Sequence, residues 1–514
     1  QSSPTFVGFF VSGRMGRFGI VMKKVSLLLV FISSLYGQAP DTLFTRTFGD
    51  VGNDIAFEVH STNDGGSVLA GRINSSNDGI NRGYVVKTDL NGDEEWSQIY
   101  DDGGITELYS IKQTLDNGYI CVGLSYSLDE SGHLFLLKLN SFGEIEWNQI
   151  HGENVDYLEY GRDIIQTNDG GYAISGIKYF DQNLDESKIW VLKTDSLGNA
   201  LWEYTFGNGN FNFGSSIISL DNGELVVAGS KTVMDSNGGW GECGIVLKIG
   251  QEGNEIWNQI YCSDSLDIYS IRFQDHKITS DDGYIMTGYV VDEFYTKQIL
   301  LLKTDSNGEE IWRHSYGNSG NDQGYSLEKT QDNGYIITGY ISNPSPDLYI
   351  FKLDSLGTQE WEIILGGDST DSLNDKGYSI DKTSNNEYVI GGYTSNYGNG
   401  GIDFWLVKIG SEILSIDQTP IPYNFVLHQN YPNPFNPVTT LRYDLPEDAM
   451  VNITIYDMVG RQVNTLDRSQ QTAGFKSIRW NATNDKGFPV SAGLYLYTIE
   501  AGQYRQTKKM VLLK

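Results

Sequence analysis

Four acids recur at one offset in this chain. Asp54, Glu159, Asp322 and Asp375 each stand eight residues ahead of the position that opens a repeated turn. Carboxylates carried to one rim could hold a hard cation such as calcium through oxygen ligands, although Phe211 breaks the series. A second set is aromatic: Tyr179, Phe180, Trp240, Phe294, Tyr295 and Tyr397 fall in connections that change in length and composition from segment to segment, where recognition usually resides. Trp240, within "DSNGGWGEC", lies outside the periodic tryptophans and is the first candidate for an exposed contact; the bland alternative is a loop that folds its own aromatic underneath. "DLNGDEE" at 89–95 alternates oxygen ligands as a calcium loop does, but the sister segments keep the turn without the second acid, so turn chemistry explains it better. No HExxH, CxxC, phosphate loop or GxSxG occurs, and six histidines leave few groups for acid–base work. No catalytic set is assigned, and no cofactor is expected beyond calcium at those acids.

These groups ride on a repeat. At a period of about 55 residues the chain aligns with itself seven times, as in "KTQDNGYIITG" at 329–339 followed by "IFKLDSLGTQEW" at 350–361. Lysines recur at Lys87, Lys138, Lys193, Lys248, Lys303, Lys352 and Lys408, and tryptophans at Trp96, Trp147, Trp202, Trp257, Trp312 and Trp361. Each unit holds four short β-type runs, in the sixth Tyr325–Thr330, Tyr335–Tyr340, Leu348–Leu353 and Glu360–Leu365. The first turn, Thr-x-Asp-x-Gly, lets the Asp carboxylate accept local N–H bonds while Gly supplies a positive φ. Four strands at this period without helices predict an all-β chain: a seven-bladed β-propeller over 43–410. "LFTRTFG" at 43–49 reads like a fourth strand, and the seventh unit loses its Trp, so either the first strand completes the last blade or each blade starts one strand earlier. A side chain present in every blade serves the blade, so the tryptophans and lysines are read as structural.

Composition sets limits. The chain carries 36 basic and 66 acidic side chains, and residues 38–426 hold 22 of the former and 59 of the latter, a net of −37. Such a body repels phosphate backbones, which excludes nucleic acid and favours cations or neutral ligands as partners. "MKKVSLLLVFISSLYG" at 22–37 is a signal peptide, too short to span a membrane, and no later segment is apolar enough to do so; residues 1–21 are expected to be a non-native upstream extension. Three cysteines rule out a disulfide scaffold, but Cys243 and Cys262 flank a predicted hairpin and could pair across it.

The D-x-x-G-x-x-x-W spacing resembles the tryptophan-docking turn of quinoprotein-type propellers, and the units resemble secreted bacterial repeats of the delta-60 kind. The eight blades and calcium-bound quinone of the quinoproteins have no counterpart here. Thr114–Gly118 and Thr330–Gly334 match the first half of the sialidase Asp box, yet the arginines of 43–410 follow no pattern that would grip a substrate carboxylate.

Past a linker at 411–426 the pattern changes. Residues 427–514 alternate as a small Ig-like antiparallel β-sandwich of six or seven strands. Tyr431, Pro432, Asn433, Pro434, Phe435, Asn436 and Pro437, with Gly460, Gly493 and the "KKMVLLK" end that includes Lys508 and Lys509, resemble the type A C-terminal sorting domain of type IX secretion; a flagellar hook-cap Ig-like module is the structural alternative. That resemblance implies export through the periplasm of a Gram-negative bacterium, handling by the type IX machinery, and a secreted or outer-membrane surface location. The prolines fix φ and remove donors, which predicts a stiff, unpaired entry edge. Together these readings give a secreted or surface propeller that binds a glycan or protein. The runner-up is a glycan-active hydrolase or lyase, and the third reading a structural surface protein.

Overall fold

The computed structural model describes residues 39–513 apart from 75–78, 102–103, 127–131, 153–157, 181–185, 208–210, 235–239, 263–269, 292–294, 319, 343–344, 367–373, 412–421 and 423. The residues read as an upstream extension and a signal peptide, 1–37, together with Phe294 and most of 411–426, lie outside the described residues. The chain divides into two compact units, parted between residues 412 and 413, and among the described residues every regular element is a strand.

The first unit is a propeller of seven four-stranded antiparallel sheets. Blades 1 to 6 are contiguous: Ile55–Tyr100, Ile105–His151, Glu159–Phe206, Asn212–Tyr261, Ile271–Tyr316 and Gln323–Leu365. Blade 7 takes three strands from Asp375–Ile409 and its outermost strand from Thr42–Phe48, which settles how the ring closes. Phe44 stands opposite Lys408, as Trp96 does opposite Lys87 and Trp361 opposite Lys352, so it fills the place of the missing Trp. The seam is fixed further by a bridge from Asn53 to Ile402 and by the Ser61 N–H donating to Asp381 Oδ2 at 2.7 Å.

Neighbouring blades meet through aliphatic layers capped by the indoles. A Cβ at Gly143 would come within 2.7 Å of the Trp96 ring, one at Gly198 within 2.7 Å of Trp147, and one at Gly253 within 2.8 Å of Trp202. Trp96, Trp147, Trp202 and Trp257 thus dock on the glycine of the next blade's last turn, and Phe44 docks on Gly92 in the same way, whereas Gly357 meets His314 instead of Trp312. The first turn of each blade works differently from the expectation. In blades 2, 5, 6 and 7 the left-handed residue is Asn117, Asp282, Asn333 or Asn386, one place before the position the sequence reading chose. Gly118 and Gly334 are required instead by close approach, since a Cβ would lie 2.3 Å from the carbonyl oxygen of Leu139 or Leu353. The Asp does what the sequence predicts: in blade 3 Asp169 Oδ1 accepts from Thr167 Oγ1 at 2.6 Å and from Gly171 N at 3.0 Å.

The second unit is a sandwich of seven strands. Val426–Leu427, Thr439–Leu445 and Gly474–Trp480 form one sheet, and Gln462–Gln471, Ala449–Asp457, Gly493–Ala501 and Tyr504–Leu512 the other. Alternate residues of both sheets, among them Leu441, Tyr443, Ile453, Trp480, Tyr497 and Met510, fill one core.

Candidate ligand site at the channel mouth

The innermost strand of every blade carries a one-residue bulge at the same point. The bulged residues are Phe57, Tyr109, Arg162, Ser215, Gln274, Tyr325 and Tyr378, one per blade. A bulge re-aims a side chain, here into the axial channel. Ring contacts run around it: Phe57 to Tyr109 at 5.1 Å, Tyr109 to Tyr160 at 5.7 Å, Phe57 to Tyr378 at 6.0 Å, and Tyr378 to Tyr325 at 4.6 Å. Burial drives the Tyr109 and Tyr325 phenols far above their usual range, so they remain hydrogen-bond donors at any physiological pH.

Above this collar, toward the face of variable loops, cations rest on rings. Arg162 lies 5.1 Å from the centre of Tyr109, Lys376 4.1 Å from Tyr340, Lys297 4.3 Å from Tyr289 and Lys188 4.4 Å from Phe180. Burial lowers the Lys376 pKa, and repulsion from Lys297 lowers it further; burial and Arg272 do the same to Lys297. Arg272 is held by Glu242 at 2.7 Å and lies over Phe213 at 4.4 Å. It lines a cavity of about 390 Å³ between blades 4 and 5 with Phe211, Phe213, Thr232, Glu242 and Ser270. Phe211 and Phe213 are parallel, 6.2 Å apart, and Phe211 is 41% exposed. This is an aromatic platform beside a fixed charge, suited to holding a small polar ligand.

Next along the innermost strands, toward the short-turn end, the charges are spent on the ring itself. Glu58, Asp163, Asp275 and Asp381, one in each odd-numbered blade, accept the backbone N–H of Ile111, Ile217, Leu327 and Ser61 in the following blade, at 2.6, 2.9, 3.0 and 2.7 Å. Ser110 and Ser216 donate to Asp163 and Asp275 from the blade before, at 3.1 and 3.2 Å. Seven being odd, two acid-bearing blades must adjoin; there the acid moves from the Ser379 position to Asp381, where His60 meets it at 3.0 Å. Burial pushes Asp163 up to about 6 even with Lys112 close by.

The sequence-predicted residues scatter. Asp54, Asp322 and Asp375 do not converge on a cation, because each carboxylate is occupied by its own loop. Asp54 accepts from Asp50 N at 2.7 Å and Asn74 N at 2.8 Å, Asp322 from Asn318 N at 2.6 Å and Ser342 N at 2.8 Å, and Asp375 from Ser395 N at 3.1 Å. Glu159 pairs instead with Lys178 at 3.5 Å. No cluster of three potential metal ligands occurs among the described residues. Tyr179 is buried, 8% exposed, and no loop contact. Phe180, Tyr295 and Tyr397 are exposed but stand on blades 3, 5 and 7, without a ring contact between them among the described residues. Trp240 pairs through its backbone with Met234, beside the Gly241 that lines the cavity; its side chain lies outside the described residues. Cys243 and Cys262 are joined in a disulfide with Cα atoms 4.6 Å apart. Sequence reasoning missed the bulged residues, although a small residue before a Tyr, Arg or Ser recurs as Gly161-Arg162, Gly214-Ser215, Gly324-Tyr325 and Gly377-Tyr378.

In the sandwich the three motifs meet at one end. The proline segment is not an unpaired edge. Tyr431 bridges Thr440, and Phe435 bridges Leu512, with Phe435 N donating to Val511 O at 3.0 Å and Leu513 N to Phe435 O at 2.8 Å. Phe435 is buried against Trp480 at 5.7 Å, while Tyr431, Pro432, Asn433, Pro434, Asn436 and Pro437 are exposed. Asn430, buried, ties the segment through Nδ2 to Pro432 O at 3.0 Å and Thr439 Oγ1 at 2.9 Å. Gly493 pairs with the same Leu512, and the Gly460 turn closes at Asp457, which pairs with Tyr495 two residues on. Lys508 and Lys509 lie on that last strand, opposite Tyr497 and Leu496. Residues 437–504 match the family of FlgD Ig-like domains. This Ig-like module is followed by the final strand, which holds the buried phenylalanine in place.

No curated protein matches the chain. Among solved structures, it is similar to the β-propeller domain of the Trilobed protease from Pyrococcus furiosus at 11% identity and a TM-score of 0.42, over 72% of this chain and 99% of that one. A protein of unknown function from Dyadobacter fermentans matches at 14% identity and 0.40, over 71% and 99%. PorZ, a surface component of the type IX secretion system of Porphyromonas gingivalis, matches at 10% and 0.26, over 89% and 81%. These are likenesses of fold.

Proposed function

We propose that this chain is a secreted or surface-held binding protein whose propeller engages a glycan or protein ligand at the channel mouth and the adjoining cavity, and whose last 88 residues, 427–514, act as a sorting domain for type IX secretion. The observation that carries the binding reading is the contrast in how charges are used among the described residues: acids on the variable face are committed, Glu107 to Arg72, Glu242 to Arg272 and Glu159 to Lys178, whereas several cations carry no ion pair. A hydrolase would need two free carboxylates there. The sorting reading is supported by the convergence of the proline segment, the Gly460 turn and Gly493 at one end of the sandwich, an arrangement that core packing alone does not require. Deleting 427–514 in a bacterium with a type IX system should leave the propeller in the periplasm; normal export of the shortened chain refutes the sorting reading. Binding to a glycan array without turnover, abolished by Phe213→Ala, is the result expected for the propeller.

A further inference from the structure

We propose that the channel mouth takes an acidic saccharide, its carboxylate or sulfate groups held by Arg162, Lys297 and Lys376 and its ring faces by the aromatic collar. The proposal rests on the binding reading above and adds the charge class of the ligand, which is the opposite of what the acidic body implies.

Arg162 leaves the bulge of blade 3, lies over Tyr109 of blade 2, and is within electrostatic reach of Tyr325 and Tyr378 of blades 6 and 7, so its guanidinium faces the channel axis. Lys376 is the second residue of the innermost strand of blade 7, and Lys297 the first of the third strand of blade 5. The two ammonium groups sense each other, and Lys297 senses Arg272 in turn. None of Arg162, Lys297 and Lys376 has a carboxylate within ion-pair distance among the described residues, in a chain with 66 acids. Among the described residues, acids of this face are engaged: Glu107 with Arg72, Glu242 with Arg272 at 2.7 Å, and Asp322 and Asp375 with their own loops.

Partly buried cations that repel one another are costly to a fold, and the one attraction resolved here, of Glu242 for Lys297, is weaker than the burial and the Arg272 repulsion that oppose it. A ligand anion supplies what is missing. A guanidinium offers two parallel donors to a carboxylate or sulfate. The half-buried collar rings Phe57, Tyr325 and Tyr378 suit the C–H faces of a sugar ring, while Tyr289 and Tyr340 are buried and back the two lysines.

The test is calorimetric titration of the full chain with tetragalacturonate, with its methyl ester, and with a chondroitin sulfate tetrasaccharide. Binding of either acidic probe is expected, weakening as salt rises from about 50 to about 300 mM. Arg162→Gln and Lys376→Gln should each reduce affinity about tenfold or more with the melting temperature retained. Preference for the first probe assigns carboxylates, and for the sulfated one sulfates. Equal binding of the ester, indifference to both substitutions, or dissociation constants above about 1 mM for both acidic probes overturns the proposal. Binding of the ester that is lost in Phe213→Ala would leave the propeller a binding protein and remove only its assigned charge class.

Discussion

The two ends of the propeller use lysine in opposite ways. On the end formed by the short turns, each blade's recurring lysine meets an acid: Lys87 with Asp64 and Glu95, Lys138 with Asp116 and Glu146, Lys193 with Asp169, Lys248 with Glu224, Lys303 with Asp281, Lys352 with Asp332, and Lys408 with Glu387, at 2.5 to 3.0 Å. On the end formed by the variable connections, Lys188, Lys231, Lys297 and Lys376 each sit over an aromatic ring with no acid partner among the described residues. The first arrangement neutralises charge that the fold buries. The second keeps charge that the fold does not use. Repetition of one end and divergence of the other therefore separate what holds the ring together from what meets its surroundings.

The largest effect should come from breaking the repeated end. Trp361 is buried among Trp405, Ile409 and Ala39, where it joins blade 6 to blade 7. Trp361→Ala should cost about 3–5 kcal/mol in urea unfolding and leave ligand affinity per folded molecule unchanged. A loss below about 1 kcal/mol would mean that the indoles are not what joins the blades.

A second test probes the point where the repeated end departs from its own pattern. His276 is fully buried at a position where the other blades place Val59, Ile111, Ile164, Ile217, Leu327 and Ile380, and Ser216 Oγ lies 2.9 Å from its Nδ1. Burial, aided by Lys277 and opposed by Asp275, pushes the imidazole down to about 4. Below pH 6.5 the unfolded chain takes a proton that the folded chain refuses, so His276 removes stability as pH falls from about 6.5 to about 4. Asp54 and Asp163, both raised to about 6 chiefly by burial, act in the other direction: the folded chain keeps their protons where the unfolded one has released them, which adds stability as pH falls from about 6 to about 4. His276→Leu isolates the first of these terms. Its stability relative to the parent should improve by about 3 kcal/mol between pH 7 and pH 4 in urea titrations at each pH. A relative stability independent of pH would show that the imidazole titrates normally.

Much of the repeated end could be read from the chain because its determinants are local. A turn acid two residues from its threonine, or a tryptophan four residues after a glycine, depends on neighbours in sequence. Phe44 could be read as a fourth-strand residue, but only pairing with Lys408 shows it in the place of the seventh tryptophan. The mouth was hidden for the converse reason. Arg162, Arg272, Lys297 and Lys376 come from three blades and are gathered by ring closure, a property that no window of sequence contains. Tyr179 is the last residue of its strand, which reaches further than its pattern suggests, so the side chain is buried and not in the loop. The missing donors of the prolines predict a free segment, while Phe435 between them keeps both its N–H and its carbonyl for the final strand.

The smallest effect should be the most telling in its sign. Lys376 is half-buried, carries no ion pair among the described residues, and is disfavoured in its charged form first by burial and then by Lys297. Its contact with Tyr340 at 4.1 Å returns about 0.5–1 kcal/mol, comparable with what the desolvation and repulsion remove. Lys376→Met keeps the methylene packing and removes the charge, so stability should change by less than about 0.5 kcal/mol, with a tendency to rise. The matching change at the other end, Lys352→Met, strips Asp332 and Glu360 of their common partner and should cost about 1–2 kcal/mol, less than a fully buried pair because both acids are about one-third exposed. A residue whose removal leaves the fold indifferent or better, in the same chemical class as one whose removal harms it, is retained for something other than folding. Equal losses from the two substitutions, measured by urea unfolding at pH 7, would erase the distinction between the ends.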